Sequence, residues 1–188
     1  MTVRVQSLCA LVLLSCLISN PAHADTPWER YYRLPSAENA AQVSKLSYSS
    51  GTIPAGWGYD ARHLDVLSVQ VVAGDAEALR LALRFLPQAD GGLLEDLEEL
   101  IGRSIRPHPE LFLAEVARST ASGTLESILR MAGLVYTDLE RAHYYELEMR
   151  RRAIAAVVDP SLAQERERCL SILDRVLKPY GEPTQIEP

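Results

Sequence analysis

Cysteine is scarce in this chain: there are three, and Cys9 and Cys16 fall in an N-terminal stretch that reads as an export leader. With the leader gone only Cys169 remains, so no intramolecular disulfide is available to staple the fold. Lysine is scarcer still. Only Lys45 and Lys178 are present, and arginine supplies every other basic group. No apolar run is long enough to span a bilayer core of roughly 30 Å, because the apolar core of the N-terminal stretch, Leu8 to Ile18, stops short. A membrane span after leader removal is therefore not expected. Strand signals are also missing, since the one β-branched run, Val69-Gln70-Val71-Val72, continues a helical period on both sides.

The motifs of familiar chemistries are lacking too. The sequence holds no G-x-S-x-G elbow, no S-x-x-K, no glycine-rich phosphate loop ending in Lys-Ser or Lys-Thr, and no dinucleotide fingerprint after a strand. Outside the leader the histidines are His63, His108 and His143, far apart and in no H-E-x-x-H or Cys-His arrangement, so no metal site and no cofactor are expected. His108, just before Pro109, is read as a helix cap, and His143 as a half-buried structural residue. Cys169 shares a helical stripe with Leu162, Ile172, Leu173, Val176 and Leu177, where a thiol behaves as a small hydrophobe rather than a nucleophile.

What the chain does contain begins with that leader. Residues 1–24 place Arg4 ahead of the apolar segment and end in Ala22-His23-Ala24, an A-x-A cleavage pattern that would start the mature chain at Asp25 in the periplasm or outside the cell. Leu13-Leu14-Ser15-Cys16 resembles a bacterial lipobox, which makes a lipoprotein anchored at Cys16 the alternative. The segment after such a site would open with apolar Leu17-Ile18 rather than a polar tether, so cleavage after Ala24 is preferred. Loss of Arg4 lowers the 19 basic groups to 18 against 25 acidic ones, a charge of −7. That balance disfavours nucleic acid as a partner and favours another protein, a basic one in particular.

Helical periodicity fills the remainder. In residues 91–105 Leu93, Leu94, Leu97, Leu100, Ile101 and Ile105 form the apolar stripe of one helix, while Glu95, Asp96, Glu98 and Glu99 are expected to stay in water. Thr26-Pro27-Trp28-Glu29 combines a hydroxyl cap, a first-turn proline and a glutamate three residues after the cap. Ser36, Asp60 and Asp75 each precede a further helical period, Gly74 ends the one that Asp60 begins, and Asp159-Pro160 starts the last. Thr137-Asp138-Leu139-Glu140 has the form of a capping box for a helix reaching about Val158. Within it Glu146 with Arg150 and Glu148 with Arg152 are spaced for pairing, so Arg150-Arg151-Arg152 reads as a solvated face.

Between residues 75 and 134 the helices recur. An offset of about 33 residues sets Glu77 on Glu110, Leu79 on Phe112 and Leu83 on Val116, and a helix pair repeating at that interval is what a helical solenoid requires. The tetratricopeptide pattern of Trp, Gly and Tyr positions is absent. The expected fold is all-α, seven or eight short helices in a solenoid-like stack or irregular bundle over residues 25–180, with a fraying tail at 181–188.

Residues 48–59 have no helical period and read as a loop that carries Trp57 and Tyr59. These two aromatics, as interface anchors, and the acidic group Glu95, Asp96, Glu98 and Glu99 are the candidate partner-binding residues. The expected function is a non-catalytic protein-binding module, of inhibitor or immunity type, acting in the periplasm. The competing class is a cell-wall glycosidase, which needs little more than two carboxylates across a cleft. Glu126-Ser127 resembles the catalytic pair of lytic transglycosylases, but the other motifs of those enzymes are missing and Leu125, Ile128 and Leu129 make this an ordinary core helix. A structural envelope protein is the third class.

Overall fold

The computed structural model describes residues 25–45, 61–89, 91–119, 123–131 and 140–180. The leader, the 48–59 loop with Trp57 and Tyr59, the Asp60 cap, most of the Thr137 capping box and the C-terminal tail lie outside the described residues. Within them there are nine α-helices and no strand: α1 (Pro27–Arg33), α2 (Ala37–Val43), α3 (Ala61–Val72), α4 (Ala76–Phe85), α5 (Gly91–Gly102), α6 (Pro109–Arg118), α7 (Leu125–Arg130), α8 (Glu140–Ala155) and α9 (Ala163–Leu177). That exceeds the seven or eight expected. The two seven-residue N-terminal helices, parted only by Leu34-Pro35-Ser36, are each complete and separately capped.

Local chemistry sets the helix starts. The Thr26 hydroxyl accepts from the Glu29 amide at 3.2 Å while the Glu29 carboxylate accepts from the Thr26 amide at 2.6 Å, closing the capping box that opens α1. Ser36 accepts from Asn39, and the Asn39 amide group turns back to donate to the Leu34 carbonyl at 2.8 Å, which fastens the α1–α2 corner. Asp75 accepts from the amides of Glu77 and Ala78 at the head of α4. Asp159 caps a short 3-10 turn, Pro160–Leu162, that leads into α9.

The packing order is regular. α1 contacts α3, α2 contacts α4, α3 contacts α5, α4 contacts α6, α5 contacts α7, α6 contacts α8 and α7 contacts α9. Each helix therefore rests on the one two places along the chain. The core between them includes Trp28, Leu67, Leu79, Phe85, Leu97, Ile101, Phe112, Leu129, Leu147 and Leu173. Trp28 of α1 lies with its ring centroid 5.4 Å from Phe85 at the end of α4, tying the first helices to that core. Burying a side chain of Leu or Phe size contributes about 1.5–3 kcal/mol, so this shared interior rather than any single helix carries the stability.

Several expectations change in detail. The helix at residues 91–105 ends at Gly102, and Ile105 joins the core from a following turn in which the Ser104 hydroxyl donates to the Ile101 carbonyl. In α3 Leu67 and Val71 turn inward, as the helical period sets them, and Val72 and Val69 face out. Gly74 does end that segment, with φ of +87°. A side chain there would be strained and would also meet the His108 ring at 2.8 Å.

Candidate functional site

A groove of about 530 Å³ opens between α2, α4 and α6. Its wall on the α2 side is made of small residues, Ala40, Ala41 and Ser44, and its floor includes Leu81. Arginines supply the charge: Arg80 and Arg84 one turn apart on α4, and Arg118 at the end of α6. Arg84 and Arg118 stand in last turns, where helix-end carbonyls attract a cation by roughly 0.3–1 kcal/mol.

Beneath them lies Glu115, only 2% exposed. Arg80 grips its carboxylate with two parallel bonds, Nε at 3.0 Å and Nη2 at 2.9 Å, and Arg118 adds Nη1 at 2.6 Å. A bidentate fork of this kind is geometrically specific as well as strong. Arg80 also pairs with Glu77, and these bonds, first to Glu115 and then to Glu77, push its pKa further above the ordinary arginine value. Arg84 has no ion pair among the described residues. The groove thus presents two guanidinium groups, of Arg80 and Arg118, held from below by Glu115, with that of Arg84 beside them.

The sequence marks these residues faintly. Glu115 falls between Phe112 and Val116 on the apolar side of α6, and a carboxylate inside an apolar stripe signals a buried partner. Its partner Arg80 lies 35 residues away, a separation that no local pattern reports.

The acidic group expected on α5 does not form one solvated face. Glu95 is exposed, but Asp96 is half-buried and Glu98 is 3% exposed. Glu99 pairs with Arg103. Glu98 follows Leu97 and precedes Ile101 by one turn less a residue, so the turn of the helix carries it to the edge of the core stripe. Burial raises the Asp96 pKa, with Glu99 and Glu95 adding repulsion.

The triplet at residues 150–152 is likewise not a uniform solvated face. Arg151 pairs with Asp174 at 2.5 Å and Arg152 with Glu148 at 2.9 Å, as surface arginines do. Arg150 is 1% exposed. Its Nε donates to Glu146 at 3.1 Å, and its Nη1 reaches the carbonyls of Ile128, Leu129 and Met131 at 3.1, 3.2 and 2.9 Å. Arg150 follows Leu147 by three and precedes Ile154 by four, a place in the middle of the inward face of α8. From there its fork reaches the unpaired carbonyl end of α7, a task lysine's single ammonium could not share out in the same way. Gly102 makes room, since a Cβ at that position would lie 2.8 Å from Nη1 of Arg150.

Both described histidines serve helix ends as well. His108 occupies the residue before α6 without capping it through its side chain; its Nε2 instead lies 2.9 Å from the Val72 carbonyl at the end of α3. His143 Nε2 lies 3.1 Å from the Arg130 carbonyl at the end of α7. His63 is part of α3, and its side chain lies outside the described residues. Cys169 is fully buried, and burial pushes its thiol up to about 12. Glu126 is exposed on α7 and pairs with Arg175. Among the described residues no group of three His, Cys, Asp or Glu is placed to hold a metal ion, and no helix is long and apolar enough to cross a membrane.

No family model matches the chain. Searches of curated proteins and of solved structures likewise find no match.

Proposed function

We propose that the chain is an exported, non-catalytic protein-binding module, and that it receives its partner along the face formed by α2, α4 and α6. The observation that carries the reading is the groove itself, in which a buried carboxylate holds two arginines in place before any partner arrives. Arginine is among the residues that contribute most at protein interfaces, and a side chain already fixed loses less freedom on binding. The unbroken contact of each helix with the one two places along supports a solenoid-like, two-layer stack, in which alternate helices share one extended surface. Three consecutive members of one layer line the groove.

The leader pattern of residues 1–24 supports action in the periplasm or beyond it. Within the binding class we favour an inhibitor or immunity-type role, because a small exported helical module acts most simply by covering another protein's surface. The α5 carboxylates carry less of that reading than the groove does, since Glu98 faces the core.

Photo-crosslinking tests this assignment. A photoreactive residue at Ala41, on the groove wall, should trap one protein species from an envelope extract, and the same probe at Val158, 82% exposed and outside the groove, should not. Ala41→Trp, which fills the groove, should abolish retention of that species by the unlabelled protein. Equal trapping at both positions, or retention unaffected by Ala41→Trp, would overturn the assignment.

A further inference from the structure

We infer that the groove recognises an acidic segment of its protein partner, through carboxylates laid against Arg84, Arg118 and Arg80, a local preference opposite to the basic partner that the net charge of the chain favours. The inference rests on the reading of the groove as a docking face, and it specifies the chemistry of what docks.

The argument starts from how the charges are distributed between surface and interior. The groove contains three arginines and two glutamates, but the two signs are not equally presented. Arg80 and Arg118 have side chains 47% and 66% exposed, whereas Glu115 is 2% exposed with both oxygens already bonded to guanidinium groups. The other acid, Glu77, is 39% exposed and pairs with Arg80. An incoming group therefore meets arginine first.

Donor capacity points the same way. A guanidinium has five N–H bonds. Arg118 commits one of these to Glu115, and Arg80 commits three to Glu115 and Glu77. Arg84 commits none to an ion pair among the described residues. The unspent donors of Arg84 and Arg118 lie on two different helices along one groove, so they suit successive carboxylates on an extended segment. Leu81 on the floor and Pro87 on the rim provide apolar contact for the residues between them. A lysine-bearing segment would bring like charge against the exposed arginines and leave their donors unused.

The experiment uses the full chain without its leader and three labelled ten-residue peptides, one alternating Glu with Leu, one with Gln in place of Glu, one with Lys. Binding is read by fluorescence anisotropy at two salt concentrations. The Glu peptide should bind, weaken with salt, and lose at least tenfold in affinity in Arg84→Glu; the Gln and Lys peptides should bind at least tenfold less well. Because Arg84 is exposed and outside the ion-pair network, that variant should keep the parent's circular dichroism spectrum and melting temperature. Arg118→Gln provides a second variant, expected to weaken the Glu peptide and leave the Gln peptide unchanged.

Equal binding of the Gln peptide, or insensitivity to Arg84→Glu, would overturn recognition of carboxylates. Full displacement of the Glu peptide by millimolar free glutamate would also overturn it, by making the site one for a small anion. So would dimerisation through this face, seen as loss of peptide binding with rising protein concentration. Failure of the inference alone would leave the Ala41 crosslink and its loss in Ala41→Trp intact. Failure of the docking face itself would remove both.

Discussion

Two buried charges in this molecule have opposite fates, and the contrast separates scaffold from surface. Arg150, in α8, is enclosed among acceptors: one carboxylate and three main-chain carbonyls from the end of α7. Glu115, in α6, is surrounded by donors that exceed it, because Arg80 and Arg118 satisfy its oxygens with bonds to spare and remain exposed. The first arrangement is closed, because a guanidinium only 1% exposed spends its bonds inward and holds two helices together. The second is open. A buried anion there works as a footing for cations that still face water. A buried ionic group is thus informative about function only when its partners have capacity left over on the outside.

The largest effect should come from breaking the closed arrangement. Arg150→Met would take one of its two arginine partners from Glu146, which keeps Arg106 at 2.8 Å, and would leave three carbonyls without their donor; stripping one member from a buried pair costs about 3–5 kcal/mol. Urea unfolding should show that loss, and a variant less than 1 kcal/mol weaker than the parent, on the same scale, would mean that water replaces the guanidinium.

Gly102→Ala should follow, at roughly 1–3 kcal/mol, because the added methyl group meets the same guanidinium. In the Arg150→Met background that cost should largely vanish. A cost that persists in the double variant would place the strain in the backbone of α5 instead.

Alkaline pH distinguishes the ionic clusters from the rest of the core, since arginines keep their charge while other groups ionise. Burial raises the Tyr31 phenol to about 12 from an ordinary 10.0, and the Cys169 thiol to about 12 from 9.0. For Tyr31 the neighbouring charges of Asp75 and Glu77 add to the effect of burial. Both groups ionise more readily in the unfolded chain, so the folded state keeps its full margin below pH 9 and loses it as pH climbs towards 12. Melting temperatures measured from pH 8 to 11 should fall in that window, and Cys169→Ala should flatten the early part of the decline.

The smallest effect belongs to the open arrangement. Arg84→Glu should change stability by no more than about 0.5 kcal/mol, the usual range for a surface position. A larger loss on chemical denaturation would make Arg84 part of the scaffold.

The sequence was most legible where helices begin and where their stripes run. Thr26, Ser36, Asp75 and Asp159 all cap the segments they precede, because a cap is decided within three residues of chain. The all-α class followed from the period alone. Helix ends were harder: α5 ends at Gly102, and what that glycine leaves room for, the Arg150 guanidinium, lies on another helix. Charged residues inside an apolar stripe were the least legible. Arg150 and Glu98 read as surface groups because their neighbours in sequence are charged, whereas their neighbours across the helix turn, Leu147 and Ile154 or Leu94 and Ile101, place them inward. The groove could not be read at all from local pattern, since its parts come from three helices.

The way the helix tails are fastened bears on how the chain must assemble. The carbonyl end of α3 waits for His108, 36 positions later; that of α7 waits for His143 and Arg150, 13 to 22 later; Val157, two residues past α8, waits for Arg166, nine later. A polypeptide emerging N-terminus first from a ribosome or a secretion channel would therefore carry α3, α7 and α8 with their ends unlatched until a later segment arrives. Closure runs from front to back, and a chain cut between Val72 and His108, between Met131 and Arg150 or between Val157 and Arg166 leaves a clasp open.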